Sequence, residues 1–160
     1  VFGDAQNALS ISTSGMFYQN ALGGATSTSI NPALIPLFPS LALDSWVTIG
    51  LSDQTDNALL NIGIDFAGFE AGGSISTDHG SWFATPDDLQ VYEVGGQVLF
   101  AQLTVAAGDT ITGTVNMQGK NADGSNWTAT AVDFDNLAVP APGALALLGI
   151  AGITARRRRK

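Results

Sequence analysis

The sequence predicts an all-β protein: an antiparallel β-sandwich or jelly-roll-like domain followed by a C-terminal hydrophobic helix. Three observations carry this prediction. Apolar residues alternate with polar ones in short runs, clusters of Gly, Asn, Asp and Ser separate the runs, and long stretches of helical period are missing from the body. A parallel sheet needs crossover helices between its strands, so the third observation excludes a parallel α/β fold.

Residues 1–30 read as an N-terminal strand and a flexible segment. Asn7–Thr13 alternates as a strand does, and the GGATSTS stretch after it has the composition of a flexible connection. Residues 31–137 form the body. It opens with Asn31–Ser40 (NPALIPLFPS), whose three prolines among apolar residues suit a packed irregular loop rather than a central strand. In DSWVTIGLSD, Val47, Ile49 and Leu51 point one way while Trp46, Thr48 and Gly50 point the other, as in a strand with one buried face. Further strands are expected at Leu60–Phe66, Gln97–Val105, Asp109–Gly119 and Asn126–Phe134. Between the last two, the Asp123-Gly124 pair suits a turn with positive φ, so Asp109–Phe134 reads as a hairpin.

Charge is distributed unevenly. The chain of 160 residues has a net charge of −8, yet five of its six basic residues form the terminal run Arg156-Arg157-Arg158-Arg159-Lys160. Residues 1–155 therefore hold fourteen acidic side chains against Lys120 alone, a formal charge of −13. Such a surface repels nucleic acid and anionic headgroups, which excludes nucleic acid as a partner of the body. Apolar residues make up 45% and charged ones 12%, with Thr, Ser, Gly and Asn abundant, a balance suited to β-rich extracellular proteins. Without cysteine, stability must come from burial and strand ladders. Val1 in place of an initiator Met, with no basic-then-apolar leader, leads to the expectation that an export signal has been removed.

Residues 138–160 form a tail in three parts. Pro140 and Pro142, within Val139-Pro140-Ala141-Pro142, end any preceding structure. Gly143–Ala155 follows, 13 uncharged residues in which Gly143, Leu145, Leu147, Leu148, Ile150 and Ile153 make an apolar helix on all sides. The basic run comes next. At ~1.5 Å per residue such a helix is about 20 Å long, short of the roughly 30 Å hydrocarbon core, so the arginines snorkel or the span is temporary. Basic residues stay on the cytoplasmic side, which places the acidic body beyond the inner membrane.

This order of parts resembles the PEP-CTERM sorting signal, built from a Pro-Glu-Pro-like motif, a short apolar helix and a terminal arginine cluster. Ala141 departs from the family by standing where Glu is usual. The resemblance implies that an exosortase-type membrane protease recognises the tail, cuts near Pro140–Pro142 and passes the body to the cell envelope or outside. VTIGL, DHGSWFATPDD and MQGKNADGSNW also look similar to a β-rich body domain found ahead of such tails, from which no activity follows.

Candidate chemistry within the body is sparse. His79 is the one histidine and lies in the polar stretch STDHGS, better suited to a turn than to a nucleophile's base. Calcium is the one cofactor expected, as a structural ion on the hard oxygen ligands of Asp53, Asp56, Asp87, Asp88, Asp133 and Asp135, although their spacing is not that of an EF-hand. Trp46, Trp82, Trp127, Tyr92 and Phe83 could supply a sugar-stacking platform or simply fill the core. Asn126-Trp127-Thr128 is a formal glycosylation sequon. No enzyme is expected. The leading reading is an exported structural protein of the cell surface or matrix, self-assembling into filaments by β-strand exchange through Asn7–Thr13. The alternative is a calcium-dependent or glycan-binding adhesion module.

Overall fold

A computed structural model describes residues 1–137. The sorting motif, apolar helix and basic run expected at 138–160 lie outside the described residues.

The described chain is mostly antiparallel β-structure with few helices. The strands are β1 (Phe2–Gly3), β2 (Leu9–Thr13), β3 (Trp46–Val47), β4 (Leu60–Ile62), β5 (Ile75–Thr77), β6 (Gly80–Phe83), β7 (Ala101–Gln102), β8 (Ile111–Lys120) and β9 (Asn126–Asp135), with a one-turn helix α1 (Ala67–Glu70) before β5. Seven strands join in one sheet in the order β4-β6-β1-β8-β2-β5, with β9 on the other side of β8, while β3 and β7 form a separate ribbon.

Period two explains the sheet's faces. In β2, Leu9 and Ile11 are fully buried while Ser10 between them is exposed. Residues 2–13 and 75–83 run alongside each other as two interrupted strands, with Gly3 opposite Gly80 and Leu9 opposite Thr77. The break in the first falls where the Asp4 carboxylate accepts the amides of Gln6 (2.9 Å) and Asn7 (2.7 Å), so a local turn takes over from the ladder. β8 runs past both halves, pairing with β2 from Ile111 to Thr114 and with Phe2 at Asn116. Leu9, Ile11, Val47, Phe69, Ile75, Trp82 and Val115 meet in the main core, and Ile30, Leu41 and Trp46 make a second cluster.

The expected Asp109–Phe134 hairpin is present as β8 and β9, closed at Asp123-Gly124, where Gly124 has φ +82°. Other expected strands are shorter. Trp46, Val47 and Thr48 are all buried, so the segment has no solvent face: Trp46 enters the second cluster and Val47 the first. Of Gln97–Val105, Ala101–Gln102 pairs with β3, and Gln97 makes an isolated bridge to Val94. Leu60–Phe66 stops at Ile62 because Gly63, at φ +72°, turns the chain toward α1. Asn31–Ser40 is irregular as expected, with short 3₁₀ turns starting at Pro32 and Pro39.

Within residues 1–30, the strand expected at Asn7–Thr13 is present as β2. β2 is hydrogen-bonded on both sides within the sheet, and Ala25, Ser27 and Ile30 are buried. Within GGATSTS, Ser27 Oγ donates to Thr48 Oγ1 (2.7 Å) and the Ala25 amide donates to Glu70 (3.2 Å).

Candidate functional surfaces

Four of the carboxylates expected to hold calcium accept a hydrogen bond through one oxygen each. Asp53 accepts the Thr55 amide (2.8 Å), Asp88 caps a 3₁₀ turn through the Gln90 amide (3.0 Å), and Asp135 accepts the Leu137 amide (3.0 Å). The Thr114 hydroxyl donates to Asp133 (2.6 Å), and Asp56 sits at φ +51° in an exposed loop. Among the described residues, no three His, Cys, Asp or Glu side chains come together as a group able to hold a metal ion. Asp133 and Asp135 do meet on one surface, an open groove of about 310 Å³ lined also by Ser10, Thr112, Thr114 and Phe134.

A second open groove, of about 230 Å³, is lined by Phe2, Ile62, His79, Ser81 and Gln118. His79 is 82% exposed and pairs through Nδ1 with its neighbour Asp78, whose carboxyl that hydrogen bond holds below the usual range. The pair occupies the turn between β5 and β6. Water screens so exposed a pair, which leaves it little electrostatic leverage on a substrate.

The aromatic residues do not form one platform. Trp82 is fully buried with its Nε1 donating to the Thr48 carbonyl (3.1 Å), and Trp46 is 3% exposed. Trp127, on β9, is 41% exposed and Tyr92 is 62% exposed. Among the described residues no helix is long and apolar enough to cross a membrane.

Three buried polar side chains that the sequence pattern does not single out organise these surfaces. Asp44 accepts the amides of Asn20 (2.7 Å) and Gly24 (3.1 Å) and so holds the 20–24 loop. Burial pushes its carboxyl above the usual range, with the nearby Glu70 charge adding to the effect while amide hydrogen bonds oppose it. Gln90 donates to the Ile49 carbonyl (2.7 Å) and accepts the Ala58 amide (2.7 Å), tying loop to loop. Asn116, fully buried, donates to the carbonyls of Phe2 (2.9 Å) and Asn7 (2.7 Å) and accepts the Ala131 amide (2.9 Å). The only signal for these in the sequence is a polar residue set within an apolar run, as in LALDSWV, which reads equally well as a turn.

Asn116 also explains the shape of the long hairpin. The register slips between Val115 and Met117, and Ala131 takes φ +53°, forming a bulge whose amide Asn116 accepts. On either side of it, an aromatic ring covers a glycine across the ladder. Phe134 lies over Gly113 and Trp127 over Gly119, where a Cβ would stand 2.8 Å from the indole nitrogen. Phe134 also packs edge-on against Phe100, ring centroids 5.7 Å apart. Among the described residues β9 pairs with β8 alone.

No family model, curated protein or solved structure matches this chain.

Proposed function

We propose that the chain is an exported structural protein of the cell surface or extracellular matrix, delivered by an exosortase-type protease that acts on its tail. The observation that carries this reading is the segregation of charge: fourteen acidic residues and one lysine precede Arg156, and the remaining basic residues follow an uncharged apolar stretch. That order suits transient anchoring in the inner membrane with the acidic part outside. We take the body as a β-sandwich, in which the β3–β7 ribbon and neighbouring loops cover the inner face of the seven-stranded sheet.

One specific observation favours a scaffold over an adhesion module. Two of the three tryptophans, Trp46 and Trp82, are buried in the core. Strand exchange through Asn7–Thr13 would take a domain-swapped form, because within one chain the slot between β5 and β8 is already filled by β2.

Intact-mass measurement on protein from the native host tests the sorting proposal. The expected mature species ends near Pro140–Pro142. A mature envelope fraction that retains Arg156–Lys160 overturns it.

A further inference from the structure

β4, β5 and β9 each have one strand neighbour among the described residues, so each leaves a row of backbone donors and acceptors without a strand partner. β4 and β5 span three residues each, whereas β9 spans ten. The two halves of β9 differ in kind. From Ala131 onward it holds the bulge and the carboxylates of Asp133 and Asp135, devices that blunt an edge. Asn126–Thr130 has neither charge nor proline, is rich in strand-forming residues, and is exposed except at half-buried Ala129.

We propose that a second copy of this chain pairs with this half of β9, antiparallel, about a two-fold axis at Thr128. The inference rests on the structural, self-associating reading of the protein and supplies its contact. The turn sets the register. The Asn121 amide bonds to the Ser125 carbonyl (2.8 Å), so the alternation of antiparallel pairs places Trp127 and Ala129 in bonded pairs with Gly119 and Met117. The backbone groups of Asn126, Thr128 and Thr130 then face the open edge. Pairing Thr128 with its own copy sets Asn126 against Thr130 and Trp127 against Ala129, with roughly six backbone hydrogen bonds. Trp127, half-exposed in one chain, gains a covering neighbour.

Charge selects the direction. An in-register parallel partner would lay Asp133 beside Asp133 and Asp135 beside Asp135, a costly arrangement of like charges. The antiparallel two-fold sends the two acidic halves to opposite ends of the seam, each beside the 121–125 turn of the other copy. Lys120, the one lysine of the described residues, lies opposite Asn126 on β8 and is thereby carried toward the acidic half of the other copy. The contact is isologous, so it closes as a dimer and needs a second contact to extend into a filament.

Sedimentation of the full chain in a nonionic detergent, over a range of concentrations, tests the pairing. The parent chain is expected to dimerise. Thr128→Pro removes an amide that the β8 ladder does not use, and Thr128→Lys places two lysines at the axis. Both are expected to weaken dimerisation at least about tenfold, which is about 1.4 kcal/mol, with the lysine variant recovering partly in high salt. Ile62→Lys on the β4 edge is expected to leave the dimer intact. Because the chain has no cysteine, a spin label on Thr128→Cys reports this position alone, and strong dipolar broadening in the dimer is expected. A dimer that persists in both Thr128→Lys and Thr128→Pro, or shows no broadening, overturns the pairing and leaves self-association standing. A parent chain that is monomeric throughout removes both.

Discussion

Asn116 makes three separate contacts with one buried amide. Its NH₂ group satisfies two carbonyls near the N-terminus, and its oxygen satisfies the amide at the β9 bulge. Asn116→Leu would keep the volume but remove a partner from the Phe2 carbonyl and the Ala131 amide, while the Asn7 carbonyl would still accept the Asp4 amide (3.0 Å); the cost is ~1–3 kcal/mol for each group that water cannot reach. The expected loss is about 2 kcal/mol or more, read as a lower urea midpoint at unchanged slope. Asp44 poses the opposite problem, since its charge is what burial penalises. Its folded pKa is raised, so the ionised form subtracts stability at neutral pH, and that cost is relieved as pH falls through the folded value toward the unfolded one. Against Asp44→Asn, the parent chain is therefore expected to gain relative stability on acidification. Urea midpoints of both chains across acidic pH check the sign.

The β8–β9 hairpin shows how an element is specified at two levels. Its turn is local: Gly124 supplies the positive φ, and the Asp123 carboxylate accepts both the amide (2.9 Å) and the hydroxyl (2.6 Å) of Ser125. That is why Asp123-Gly124 is legible in the sequence. The pairing of rings with glycines is not local, because Gly113 and Phe134 meet only once the register is set. Adding a methyl group at Gly113 would drive it into the Phe134 ring. Gly113→Ala is expected to cost about 1–3 kcal/mol, as overpacking does. In Phe134→Leu the same change should cost less, so a double-mutant cycle with a coupling near zero would contradict a clash between the two.

Across the whole molecule, self-repulsion among the acidic side chains opposes compaction. Raising salt from about 10 mM to about 150 mM shortens the screening length from ~30 Å to ~8 Å, so the melting temperature is expected to rise over that range. The candidate calcium ligands make a separate prediction. Since no three His, Cys, Asp or Glu side chains come together among the described residues, excess EDTA is expected to leave the melting temperature unchanged. A fall of several degrees in EDTA, restored by added calcium, would reveal a bound ion.

The sequence by itself determined the β class, the hairpin, the irregular proline-rich stretch and the division between an acidic body and a basic end. Each depends on neighbours a few residues apart, through side-chain alternation, turn chemistry or plain charge. It did not determine which strands shorten, because Trp46, Val47 and Thr48 alternate correctly yet are buried on both sides by residues distant in the chain. Nor did it separate structural from solvent-exposed polar residues: Asp44 and Ser27 look like loop residues, and Asn116 like a solvent-facing strand residue, until their partners arrive from other elements. Only the tertiary structure decides that, since the free energy of a polar group depends on whether burial comes with a hydrogen-bond partner.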